Sequence, residues 1–386
     1  MTGKLFFWAN YFIEEPHIGT TTKIKSEINT LRKMGLEVYY TAYLSNGVAI
    51  YDNNDKCIIK KKYPFILRKI SRFIRKDYLI YIARKYIESH IFDYYYLRLN
   101  IINCNYWKML NSMKKQNAFV MMESLSYYPD MVVSSDSTIG FKLINRSLNR
   151  HKNNLKDVVD LMLTEGQFES FYGIPCIELG MGIDTNIYPK HTYKGKFGEY
   201  HYVMVGCDSP FHGTDRMIKS VAKYLENGKR NVYVHFVGTP NKKDVKIVQE
   251  LDLNENVFFT GKKYGEELNQ FLENCNIALG PLAQFRLNKM DTGLKTKEYF
   301  ARGIPYVYSG CEPNIPNGYP YIYNVKDDNT LIDINEINQF YDKISGENVA
   351  DEMRHLSEEI FSWEAIFNRV FKVVKKLKKG ELANVD

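Results

Sequence analysis

A chain of 386 residues with 45% apolar composition is long enough for two buried cores, at roughly 150 residues per domain. Its net charge of +7 is modest, and no recognised nucleic-acid-binding module accompanies it, so no nucleic-acid partner is expected. The six cysteines, Cys57, Cys104, Cys176, Cys207, Cys275 and Cys311, contain no close pair, which argues against a zinc site or a disulfide framework and for a reducing compartment.

Residues 4–10 are apolar, lack a small-residue cleavage pattern and are followed by Glu14 and Glu15. They read as a first strand, not a signal peptide. Residues 23–34 carry Ile24, Ile28 and Leu31 at three- and four-residue steps and predict a helix that ends at Gly35, with residues 36–40 as the second strand. The loop between, with Pro16, His17 and Gly19, offers a glycine and a helix N-cap. From Lys56 to His90 the chain holds eleven Lys or Arg against Asp77 and Glu88, interleaved with Phe65, Ile66, Leu67, Ile70, Phe73, Ile74, Leu79, Ile80 and Ile82. That basic amphipathic region reads either as a plain solvated helix or, the preferred reading, as a surface for an anionic membrane. No run approaches the roughly 18 apolar residues of a membrane span, so the protein is expected in the cytoplasm, or peripherally on the inner face of the plasma membrane.

Residues 118–123 form a strand, followed by a loop with Tyr127 and Tyr128. Glu123 at the strand's carboxyl end reads as a buried carboxylate held by backbone donors or as a group that orients an acceptor hydroxyl. Residues 161–164 form a late strand, and a polar stretch over 189–200 predicts a linker with a boundary near 195. The second half opens with a strand at 202–205 and alternates strands with helices to about 345. Phe361 and Trp363 then lead into a last amphipathic helix that ends in Lys375, Lys376, Lys378 and Lys379.

The stretch from Asp291 to Pro305 carries most of the chemistry. Leu294 to Arg302 predicts a short helix entered from Gly293 and stopped by Gly303 and Pro305, with a buried strand at 306–308. The free N–H groups and positive dipole end of such a helix suit a diphosphate. Lys295 in the first turn is a poor choice for helix stability and a good one for an anion. Glu298, about one turn on, can accept two hydroxyl hydrogen bonds from a ribose. By themselves Lys295 and Glu298 also read as an ion pair on a solvated helix face.

Six elements occur in a fixed order: Val205-Gly206, Phe211-His212-Gly213-Thr214-Asp215-Arg216, His235 to Gly238, Val257 to Gly261, Phe285-Arg286, and Leu294 to Tyr299. In that order they resemble the retaining glycosyltransferases of the GT-B type, family 4 (group 1) in particular, and among them capsule and surface-polysaccharide transferases. The resemblance implies an α/β fold, GT-B, with two facing Rossmann-like domains, parallel sheets and a C-terminal crossover helix. Residues 1–195 would be the acceptor-binding domain, 196–355 the nucleotide-sugar-binding domain, and 356–386 the helix crossing back. It implies donor contacts from Gly19, His212, Gly213, Arg286, Asp291, Leu294, Lys295, Thr296 and Glu298, and acceptor contacts from His17, Glu123 and Tyr127. Lys295, Arg286 and Glu123 would act in catalysis.

Three positions depart from the family's pattern. Met290 stands where a first glutamate is usual, with Asp291 beside it; Cys207 replaces an arginine; and His212 replaces a lysine, with Arg286 available to supply positive charge. The activity implied is hexosyl transfer from a nucleotide-diphosphate sugar to a lipid-linked or oligosaccharide acceptor, with no cofactor beyond that co-substrate. The chain has no Asp-x-Asp pair to hold a metal on the diphosphate, so protein cations and helix dipoles are expected to neutralise the leaving group without one. A non-catalytic nucleotide-sugar-binding subunit and a sugar-nucleotide epimerase remain alternatives. No Gly-x-Gly-x-x-Gly follows the first strand, which argues against a nicotinamide dehydrogenase.

Overall fold

Apolar runs too uniform for a half-exposed strand, such as Tyr94–Arg98 with four successive buried residues, alternate here with helices that bury one stripe, and that combination builds parallel sheets covered on both faces. The computed structural model describes residues 2–9, 11–14, 19–64, 72–124, 139–164, 168–287, 293–312, 314–346 and 348–381. It divides into two compact units, 1–182 with 363–386, and 183–362.

The strands of the first unit are β1 (Gly3–Trp8), β2 (Leu36–Leu44), β3 (Gly47–Tyr51), β4 (Cys57–Lys62), β5 (Tyr94–Arg98), β6 (Phe119–Ser124), β7 (Leu161–Thr164), β8 (Ser170–Phe171) and β9 (Ile174–Glu178). Its helices are α1 (Gly19–Lys33), α2 (Arg72–Ile87), α3 (Cys104–Lys115) and α4 (Ile139–His151). The strands run in the order β4-β3-β2-β1-β5-β6-β7-β9-β8, parallel from β2 through β9, with β3, β4 and β8 antiparallel at the edges. Strand order reverses between β1 and β5.

Helix α1 begins a turn before the residue 23 predicted for it. Thr21 is buried and its hydroxyl donates to the Phe12 carbonyl at 3.2 Å, a tertiary contact that draws the threonines into the helix. The basic region also differs from the single amphipathic surface expected. It divides into the edge strand β4, where Lys60, Lys61 and Lys62 are exposed, and α2, whose Leu79, Ile80, Ile82, Ala83 and Ile87 belong to the core. Those apolar residues serve folding, and lysines on an edge strand block pairing with another chain. Residues 65–71, with Lys69, lie outside the described residues.

The last helix of the chain, which we label after those of the second unit, closes the other face of this first sheet. The second unit comprises β10 (Tyr200–Val205), β11 (Val232–Val237), β12 (Val257–Gly261), β13 (Ile277–Leu279), β14 (Tyr306–Ser309) and β15 (Ile322–Val325). Its helices are α5 (Thr214–Leu225), α6 (Lys242–Glu250), α7 (Gly265–Leu272), α8 (Leu294–Arg302), α9 (Ile334–Ile344) and α10 (Val349–Ile360), and α11 (Trp363–Lys378) follows. Trp363, Phe367, Val370, Phe371 and Val374 of α11 pack beside Ile24, Ile28 and Leu31 of α1 in the first unit. Each such side chain contributes about 1.5–3 kcal/mol when fully buried. Gly182 admits Trp363, since a Cβ there would lie 2.5 Å from the indole.

In the second unit every strand pair is parallel, in the order β12-β11-β10-β13-β14-β15, with the reversal between β10 and β13. The stretch read as the end of the first domain lies with this unit instead. Ile183 N–H donates to the Phe361 carbonyl at 2.8 Å, His191 N–H to Arg302 and Lys194 N–H to Glu273, both at 2.7 Å. These bonds draw 183–195 onto the second sheet's helices, and α10 stays there too, so the units divide at 182 and 362 instead of 195 and 355. Among the described residues no helix is long and apolar enough to cross a membrane.

Candidate functional site

The strand reversal in the second sheet sets the loops after β10 and β13 side by side. Leu282 N–H donates to the His212 carbonyl and Ala283 N–H to that of Phe211, both at 3.0 Å, and Arg216 donates to the Leu282 carbonyl at 2.6 Å. Gly213 turns between them at φ +69°, and a Cβ there would come within 3.0 Å of the Leu282 backbone, so a side chain meets both strain and a clash.

Helix α8 is held to this edge by Tyr299, whose hydroxyl accepts the Val205 N–H at 2.8 Å. Lys295, one turn earlier, thereby reaches the Gly206 carbonyl with Nζ at 2.6 Å. Burial pushes the Lys295 ammonium down to about 7, against the charges of Cys207, Asp208 and Glu298 that favour it. Gly293, which has no side chain to cap them, precedes the first N–H groups of α8, and Thr296 in the first turn is fully buried. Leu294 and Lys295 stand beside these N–H groups, an arrangement that can hold an anion.

His212 is buried and its pKa falls to about 3 through burial and the charge of Lys295. Its Nδ1 lies 3.3 Å from the Ser209 N–H and accepts from it, which leaves the proton on Nε2. His212 is thus a neutral donor, not a replacement cation. Arg286 is also differently placed from what its sequence position implied. Its guanidinium grips Asp215 with Nη1 at 2.6 Å and Nη2 at 3.2 Å, and donates further to the Pro210 carbonyl and to Asn329. With its fork on a carboxylate, its charge is already answered, and among the described residues Lys295 remains as the cation in the first turn of α8.

Glu298 is deeply enclosed, and burial raises its pKa although Tyr188, Arg302 and Lys295 counter the effect. Tyr188 donates its hydroxyl to Glu298 Oε1 at 3.1 Å. Sequence reasoning missed Tyr188, since it lies 110 residues away in a segment assigned to the other domain. It also missed the ion pair of Lys297 with Glu312, both buried on the far side of α8.

In the first unit Glu123 is buried, as the first of its two readings had it, but with different partners. Side chains, not backbone donors, hold it: Lys23 Nζ at 2.8 Å, the Tyr96 hydroxyl at 2.9 Å and Arg98 at 3.3 Å. Arg98 also reaches Glu27 at 2.8 Å, so two carboxylates share two cations at the ends of β5 and β6. Burial favours the neutral form of Glu123, but the charges of Arg98 and Lys23 prevail and hold its pKa below the usual carboxylate range. At 3% exposure, Glu123 is closed to an acceptor hydroxyl. Gly19 opens α1, while His17, Tyr127 and Asp291, like Met290, lie outside the described residues.

Solved structures of similar fold cover nearly the whole chain. A glycosyltransferase from Rickettsia africae ESF-5 is 12% identical with a TM-score of 0.64, over 97% of this chain and 98% of that one. The lipopolysaccharide outer core galactosyltransferase WaaB is 14% identical with a TM-score of 0.58, over 97% and 99%. Anabaena HepE in complex with UDP and glucose is 12% identical with a TM-score of 0.57, over 97% and 100%. The chain therefore has the GT-B glycosyltransferase fold. Residues 193–345, which lie within the second unit, match the family model for glycosyl transferases group 1. No curated protein sequence matches the chain.

Proposed function

We propose that this protein is a retaining glycosyltransferase that moves a hexose-type sugar from a UDP-linked donor to a surface-polysaccharide acceptor, lipid-linked or oligosaccharide. The observation that carries the reading is Lys295 in the first turn of α8, its Nζ on the Gly206 carbonyl beside the loop after β10 and at the reversal of the second sheet. HepE is solved with UDP, with UDP and glucose, and with UDP-glucose, and WaaB is a galactosyltransferase, which supports the choice of donor.

In this reading the diphosphate lies against the α8 N-terminus and Lys295, and the ribose on Glu298. The bond from the anomeric carbon to the phosphate oxygen breaks as the acceptor oxygen bonds to the same face, and the departing phosphate oxygen takes the acceptor's proton. No protein carboxylate serves as nucleophile, in keeping with the closed state of Glu123, and no metal is required. The first unit carries the acceptor.

The test is a screen of UDP-, GDP-, ADP- and CMP-sugars in EDTA for thermal stabilisation and slow hydrolysis, with Glu298→Ala beside the wild type. UDP-hexose is expected to raise the melting temperature and to be hydrolysed, with both effects lost in the variant. Binding without hydrolysis or transfer to any acceptor would favour the non-catalytic subunit, a reading favoured by the neutral His212 and the engaged Arg286. Conversion of the donor to an isomer would favour an epimerase. No response to any donor would remove the reading.

An anionic membrane is proposed as the surface on which the acceptor is met. The support is the exposed Lys60, Lys61 and Lys62 of β4 together with the exposed Ile58 of the same strand, beside a groove of about 610 Å³ whose lining includes Ile58, Lys61, Lys85 and Asp52. Such side chains combine attraction for lipid headgroups of about 1 kcal/mol per lysine with apolar contact. Changing Lys60, Lys61 and Lys62 to glutamate is expected to abolish sedimentation with vesicles rich in phosphatidylserine. Cosedimentation unaffected by the reversal would sink the membrane proposal.

A further inference from the structure

The segment 183–195 belongs to the second unit, and it brings one side chain onto the donor helix. Tyr188 is fixed at three points. Its backbone carbonyl accepts from Arg354 Nη1 at 2.7 Å, and the same nitrogen donates to the Ala301 carbonyl at 2.8 Å, which clamps Tyr188 to the last turn of α8. The Arg302 guanidinium lies over its ring, 5.1 Å from the centroid. Its hydroxyl donates to Glu298 Oε1 at 3.1 Å, and Glu298 Oε2 accepts from no described residue.

An enclosed carboxylate left to itself would take up a proton or turn toward the nearest cation, and in either state it would recognise a diol poorly. A hydroxyl donor on one oxygen favours the ionised form and fixes the plane of the carboxylate, so the second oxygen has one direction left to offer. The geometry points to Tyr188 as a positioning residue that holds Glu298 ionised and aimed for the ribose hydroxyls of the donor. This inference rests on the donor reading of Glu298 given above.

The phenol and its carboxylate form a charge-assisted hydrogen bond, a class whose loss is felt as roughly a tenfold change in an equilibrium constant. The test compares the affinity of the full-length protein for UDP with that for 2′-deoxy-UDP, in the wild type and in Tyr188→Phe, across pH 5 to about 8. The phosphates of the two probes titrate alike, so the ratio of their affinities isolates the ribose contact. The wild type is expected to prefer UDP by roughly tenfold, and Tyr188→Phe to lose most of that preference while 2′-deoxy-UDP binds as before. In the variant the preference should also collapse at higher pH than in the wild type, because Glu298 without the phenol takes up its proton sooner on acidification.

A preference unchanged in Tyr188→Phe, or an equal loss of affinity for both probes, would overturn the positioning role and leave the donor reading intact. No UDP binding by the wild type, or no preference over 2′-deoxy-UDP, would strike the donor reading itself. Should Tyr188→Phe fail to fold, Arg354→Gln loosens the clamp without touching the hydroxyl. A reduced UDP preference there supports the role, and an unreduced one overturns it.

Discussion

Turnover of Lys295→Ala is expected to fall roughly a hundredfold, a loss on the order of 3 kcal/mol in stabilisation of the leaving diphosphate. His212 is neutral and Arg286 is paired with Asp215, which among the described residues leaves the α8 N-terminus and Lys295 to meet the developing negative charge. The ammonium is enclosed, so its field is weakly screened and its loss is not made good by water. With a pKa of about 7 in the free protein, Lys295 should gain a proton as the donor binds. Affinity for UDP-hexose is then expected to be level below pH 7 and to fall as pH rises above it, while Lys295→Ala binds weakly at all these pH values. Steady-state kinetics and a binding titration over pH 6 to about 9 check both. A turnover within threefold of the wild type would remove Lys295 from the reaction.

Arg98→Met is expected to cost the first unit about 3–5 kcal/mol at pH 8, because it strands two carboxylates with a single lysine. Burial raises the pKa of Glu27 and the charges of Arg98 and Lys23 offset this only in part, so its ionised form already weighs against folding as pH rises above the ordinary carboxyl value. Glu123, held below its ordinary value, contributes stability above that value and loses it as pH falls through its folded pKa. Loss of Arg98 raises both groups. The deficit of the variant is therefore largest where both must ionise and shrinks toward about pH 5, where a proton can replace the missing cation. The measurement is convenient, since Trp8, Trp107 and Trp363 are the protein's three tryptophans and all lie in the first unit, so their fluorescence in urea follows that unit alone. A deficit under about 1 kcal/mol at pH 8, or one equal at pH 5, would show the cluster to be worth no more than exposed pairs.

Local signals carried α8. Gly293, Gly303 and Pro305 bracket α8 at the limits read from sequence, and Leu161–Thr164 forms the strand expected of it. Those features depend on neighbours within a few residues. The missed pairings do not: Arg286 meets Asp215 across 71 residues, and Arg98 meets Glu27 likewise across 71. No periodicity or capping pattern encodes such partners, because each depends on which strand ends the topology makes adjacent. Glu123 shows the cost of that limit. Its place at a strand's carboxyl end was legible, while the two cations that close it off come from β5 and α1. The division of the basic stretch was hidden for a related reason, since a count of charges does not reveal that Leu79 and Ile80 face the core.

The return of α11 to the first sheet bears on the order of synthesis. Residues 183–362 form a continuous piece that can finish folding as soon as it has left the ribosome. The earlier-made first unit waits, with the α1 face of its sheet only partly covered, until Trp363, Phe367 and Phe371 emerge after the whole of the second unit. Nascent chains of this protein thus present an unfinished apolar surface for the whole time the second unit is being made, which is the interval in which chaperones have something to hold.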